Sequence, residues 1–127
     1  NRWMRFWRAV QSPAFPSSPD SLRQLLETCY HRNYSPGGTL RQLQAILATG
    51  TLNPLLREIH CPTRIIHGVQ DPLIRVEAAR DLHRRIRRSH LHLIPGMGHD
   101  LPDTLIGSFV RLILLDSALA ARAARSA

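Results

Sequence analysis

The sequence predicts an α/β fold in which a run of helices leads into a strand–helix–strand unit and a closing helix. Three observations carry that prediction. Two short runs, "TRIIHG" and "SHLHLIP", are β-branched or leucine-rich and bounded by glycine or proline, as strands are. A helical pattern of about fourteen residues separates them, which suits a right-handed crossover between parallel strands. Upstream of residue 54 the apolar residues recur at helical spacing instead, interrupted by proline and glycine.

Each element has its own justification. Trp3, Phe6, Trp7 and Val10 fall on one side of a helix with Arg2, Arg5 and Arg8 on the other, and "SPAFPSSPD" stops it. Ser18 suits an N-cap with Pro19 at the first helical position, followed by a stripe of Leu22, Leu25, Leu26, Cys29 and Tyr30. "SPGG" ends that helix, and a third carries Leu40, Leu43, Ile46 and Leu47 up to a stop at Gly50. Asn53 and Pro54 suit the cap and first position of a short helix, "LLREI", and Pro62 closes the connection. The crossover helix sets Val76, Ala79, Leu82 and Ile86 on one face. A last helix, from Asp103 to about Arg122, carries Leu105, Ile106, Phe109, Val110 and Ile113.

Composition narrows the class. A chain of 127 residues, 43% hydrophobic and 20% charged, suits one globular domain with one modest core. It has neither the roughly eighteen consecutive apolar residues of a membrane span nor the apolar heart of a signal peptide, so a cytoplasmic location is expected. Asn1 opens on what reads as the middle of an amphipathic helix, so the expectation is a fragment of a longer protein. Cys29 and Cys61 have neither zinc spacing nor a disulfide framework, and small buried or half-buried apolar roles are expected of them.

All 17 basic residues are arginine and the formal net charge is +8. A uniform arginine bias can reflect base composition, and the charge attracts polyanions only nonspecifically. "RDLHRRIRR" surrounds an apolar stripe and lacks interleaved aromatics, so it reads as a solvated helix face and not as a nucleic-acid patch.

The crossover brings two loops to one edge. In parallel strands joined by one crossover, the loops leaving the strand ends share the edge where open α/β sheets keep their ligand sites. "GVQDPL" leaves the first strand and "PGMGHD" the second, so Asp71 and His99 come together if the strands are neighbours about 5 Å apart. A carboxylate on the Nδ1–H of an imidazole fixes its tautomer and stabilises the imidazolium formed when Nε2 takes a proton. Gly96 and Gly98 let the backbone bend to present the ring. Asp100 is the rival acid, but adjacency to His99 turns its side chain elsewhere, to cap or solvate the turn. His67, at the strand end, is expected to pack beneath the site, and Met97 either contacts substrate or fills the loop.

With these residues in place, "CPTRIIHGVQDPLIRVEAARDLHRRI" followed by "LHLIPGMGHDLP" resembles the C-terminal part of an α/β-hydrolase. There the acid follows one strand, the histidine follows the last, and the nucleophile precedes both. "SPAFP", "YSPGGTLRQLQAILATG" and "LNPLLREI" resemble the helical cap of the branch that includes aclacinomycin-type methylesterases. The resemblance implies a cap over residues 1–53 and the end of the core over 54–127. It implies Asp71 as acid and His99 as base, with Trp3 and Trp7 either roofing an apolar substrate pocket, to which Met97 is the candidate contact from the histidine loop, or packing on neighbouring helices. No cofactor or metal is implied, and the substrate is a small, fairly apolar ester. "RWMRFWR" is then part of the cap and not a membrane-surface helix.

The G-x-S-x-G elbow does not occur in the 127 residues, and Gly107-Ser108-Phe109 lies within a helical pattern. The chain alone is therefore expected to be inactive, with the nucleophile supplied by a missing N-terminal half. An aspartate there would make the parent a dehalogenase or epoxide hydrolase, and no nucleophile would make it a noncatalytic binding protein.

Overall fold

The computed structural model describes residues 2–114. Two strands, β1 (Thr63–Gly68) and β2 (Ser89–Ile94), pair in parallel from Thr63↔Ser89 to Gly68↔Ile94. Three helices come before them: α1 (Arg2–Val10), α2 (Pro19–Asn33) and α3 (Gly38–Thr49). The crossover is α4 (Val76–Arg85), which packs on both strands and on a 3-10 turn over Asn53–Glu58. Ala79 and Ile86, 2% and 4% exposed, form the buried seam between helix and sheet. The class is α/β, as expected.

The sequence signals for helix ends act locally, and most hold. Ser18 caps α2, its Oγ accepting the Ser21 N–H at 3.1 Å, and Pro19 occupies the first turn where a missing N–H costs nothing. Gly50 closes α3 at φ 64°, a left-handed value that favours glycine.

Several expectations are corrected. The crossover helix runs for 10 residues, shorter than expected, because the residues after β1 are drawn into a loop around Asp71 and Arg75 is still extended at ψ 142°. Its far end unwinds at Ile86, where the Ser89 N–H and hydroxyl both donate to the Ile86 carbonyl, at 3.2 and 2.7 Å. Asn53 is not a cap. Its N–H donates to Thr51 Oγ1, and the 3-10 turn closes one residue earlier, through Leu55 N–H on the Leu52 carbonyl. Cys29 and Cys61 are free and exposed, not buried.

The largest departure concerns the upstream stripes. Leu40, Leu43, Ile46 and Leu47 of α3 are 51–73% exposed, and Leu25 of α2 is exposed as well. Among the described residues neither helix packs extensively on another element. Downstream, Asp103–Leu105 is a 3-10 turn and 106–114 is helical, so the expected helix starts later; its continuation to Arg122 lies outside the described residues. Among the described residues no helix is long and apolar enough to cross a membrane.

Candidate active site

The site is built from the two loops that leave the sheet. After β1 the ladder runs on into the turn, with Val69 N–H on the Ile94 carbonyl and Gln70 N–H on the Met97 carbonyl, at 3.1 and 3.0 Å. The Gln70 side chain reaches back to accept the Gly96 N–H at 2.5 Å. Gln70 thus couples the acid loop to the histidine loop through backbone and side chain together.

Asp71 sits next. Pro72 has no N–H to offer, so the carboxylate turns to the following residues, Oδ1 accepting from Leu73 and Ile74 N–H at 2.8 and 2.9 Å. That leaves Oδ2 aimed outward at His99. The His67 ring lies 3.0 Å from the Ile74 carbonyl, so the strand-end histidine holds the acid loop from below.

After β2, Gly96 takes φ 77°, and its carbonyl accepts the Ala14 N–H at 3.0 Å. Gly98 packs so closely against the end of α1 that an added Cβ would lie 2.7 Å from the carbonyl oxygens of Val10 and Gln11. His99 N–H then donates to the Val10 carbonyl at 2.8 Å. The ring that follows places Nδ1 2.8 Å from Asp71 Oδ2.

Exposure divides the pair's roles. The Asp71 side chain is 6% exposed and the His99 side chain 39%, so the carboxylate is enclosed and the imidazole is open to solvent. Burial pushes the Asp71 carboxyl up, but the N–H of Ile74, the His99 ring and the N–H of Leu73 outweigh it and hold it below the ordinary carboxylate value. Asp71 therefore stays ionised at neutral pH, and a charged acceptor on Nδ1 leaves Nε2 as the proton-accepting nitrogen.

The other anticipated residues are placed differently from one another. Met97 is 5% exposed and belongs to the core beneath the loop. Trp3 is 59% exposed, while Trp7 is half-buried, edge-on to Phe6 with ring centres 5.9 Å apart. Asp100 points away from the ring and binds Ser12, whose N–H donates to Oδ1 at 2.7 Å. On α4, Asp81 takes Arg84 and Arg85 at 3.0 and 2.6 Å, a solvated face of helical ion pairs. Among the described residues no group of three or more His, Cys, Asp or Glu is placed to hold a metal ion.

Ser12, Ala14 and Gln70 were not legible as site residues. Their contacts cross the chain to the histidine loop, and no local motif marks them.

Helices leading into two parallel strands joined by one crossover, with Asp71 and His99 on the strand-end loops, are consistent with a fragment of an α/β-hydrolase fold. The sequence points the same way. The chain is 34% identical over 62 residues to serine hydrolase BPHL of Homo sapiens, covering 49% of this chain and 21% of that protein. It is 39% identical over 59 residues to serine hydrolase BPHL of Mus musculus, covering 46% of this chain and 20% of that protein. No protein-family model matches. The matched stretch spans about a fifth of either relative, and the likeness reaches the superfamily without selecting the aclacinomycin-type branch.

Proposed function

We propose that this chain supplies the acid and the base of a Ser–His–Asp triad that hydrolyses a carboxylic ester, or a related acyl bond, in a fairly apolar substrate. The observation that carries this reading is the Asp71–His99 contact at 2.8 Å between adjacent strand-end loops, with the acid enclosed and the imidazole open. The serine comes from a segment outside these 127 residues, as in the family order of nucleophile, acid and histidine.

The steps follow from the geometry. His99 Nε2 takes the serine proton as the hydroxyl attacks the acyl carbon, and Asp71 stabilises the resulting imidazolium through Nδ1–H. His99 then returns the proton to the leaving alkoxide as the ester C–O bond breaks. Water repeats the sequence on the acyl-enzyme, and the acid is released.

In the same reading residues 1–53 form a cap and 54–127 the end of the core. The end of α1 is fastened to the histidine loop at Val10, with Trp7 and Trp3 about 5 and 10 Å further along its axis. Their rings roof the apolar part of the substrate, while Met97 supports the loop from within.

The test is covalent labelling by a fluorophosphonate, which reacts with an activated serine. The complete protein carrying this chain is expected to label, and His99→Ala in it to label at least about a thousandfold more slowly. The 127 residues alone should not label. Equal labelling of the complete protein and its His99→Ala variant would reject the reading.

A further inference from the structure

We propose that Ser12 and Asp100 are positioning residues that aim the His99 ring at Asp71, a role that rests on the triad reading above and adds an acid–hydroxyl pair behind the imidazole. Three consecutive residues of the histidine loop are held by two residues at and just past the end of α1, Val10 and Ser12. Gly98 N–H donates to Ser12 Oγ at 2.9 Å, His99 N–H donates to the Val10 carbonyl at 2.8 Å, and the Asp100 carboxylate binds Ser12. The last contact is double, because Asp100 Oδ1 accepts both the Ser12 N–H and the Ser12 hydroxyl.

Burial marks this as more than a surface contact. Ser12 is 0% exposed, and its hydroxyl both donates to Asp100 and accepts from Gly98, so its bonding is satisfied by the loop it holds. A carboxylate acceptor makes these bonds charge-assisted, short and directional.

The arrangement matters because the ring itself is little constrained. The His99 side chain is 39% exposed, and its aim depends on the backbone of residues 98–100. Fixing that backbone on both sides of His99 leaves side-chain rotation as the main freedom, and Asp71 then selects one orientation. Asp71 orients the ring through its nitrogen, and Asp100 orients it through its backbone.

The test reads the ring and not the reaction. Long-range proton–nitrogen correlation spectra of the full 15N-labelled chain report which His99 nitrogen carries the proton in the neutral ring, with His99→Gln identifying its signals among the 7 histidines. The wild type is expected to show the Nδ1–H form held by Asp71. Ser12→Ala and the milder Asp100→Asn, which keeps an acceptor oxygen, are expected to lose that form for the Nε2–H form of an unbraced imidazole. The remaining backbone amide signals should stay dispersed.

Retention of Nδ1–H in both variants, or its absence from the wild type, would overturn the proposal. So would collapse of the whole amide spectrum in both, because the pair would then be holding the fold and not aiming the ring. Failure of fluorophosphonate labelling bears on the triad reading alone and leaves this spectroscopic result standing.

Discussion

The paired loops at the end of the sheet and the helices α2 and α3 are held together in opposite ways. The loops bury little apolar surface of their own beyond Met97, yet contacts from distant parts of the chain fix them repeatedly, through Gln70, Asp71, Ser12 and Asp100. The two helices carry long apolar stripes but satisfy themselves at their own ends, through Ser18 and Gly50, and leave Leu25, Leu43 and Leu47 exposed. A helix can be specified by caps and periodicity without specifying what it packs against. A catalytic constellation cannot, since its geometry consists of long-range contacts.

That contrast predicts very unequal responses to substitution. In the complete protein Asp71→Asn should leave the loop nearly in place and lower kcat by about ten-thousandfold, since an amide orients the imidazole wrongly and cannot stabilise its cation. Steady-state ester hydrolysis checks this, and a loss under about tenfold would place the acid elsewhere.

Gly98→Ala comes next. Its Cβ must push Val10 and Gln11 away from 2.7 Å, at a cost of about 1–3 kcal/mol. Urea unfolding of the chain should show that loss, and an unshifted midpoint would mean that the α1 end is not seated on the loop.

Acid titration sharpens the same region. The folded Asp71 has a pKa below its ordinary 3.8, so its contribution to stability is fully present above that value and is lost as pH falls through the lowered one. Glu77 and Asp81 are also lowered, Glu77 chiefly by its own backbone and Asp81 chiefly by Arg85, but they are common to wild type and variant and drop out of the difference. The gap in unfolding free energy between wild type and Asp71→Asn should therefore narrow as the solution is acidified below that range. A gap that widens would contradict the sign.

Much of this architecture is visible in the sequence, and the limits have physical causes. Strand–helix–strand spacing places Asp71 and His99 on one edge, because parallel pairing and a single crossover leave little choice. Ser18, Pro19 and Gly50 mark their helix ends because capping is decided within three or four residues. The brace between Ser12 and Asp100 spans 88 residues, and neither side chain has a local signature to announce it. The shortened α4 was equally hidden, because its start depends on where the Asp71 carboxylate finds N–H partners once Pro72 has none to give. Periodicity on α2 and α3 shows that an apolar face exists and is silent on what covers it.

The smallest effects should come from the helical side. Ser18→Ala removes the hydroxyl that accepts the Ser21 N–H and should weaken α2 by about 1 kcal/mol, read as lost helicity in circular dichroism with the His99 signals unchanged. Leu47→Gln tests the contrast most directly. Leu47 is 73% exposed, so the change removes almost no packing within the chain and should move stability by less than about 0.5 kcal/mol. The same substitution in the complete protein separates two states of α3. If the stripe lies open there too, the effect stays as small; if another segment covers it, the loss rises toward the roughly 2–5 kcal/mol of a truncated core leucine. The ratio of the two measurements, on one residue in two lengths of chain, tells whether the exposed face of α3 is a surface or half of an interface.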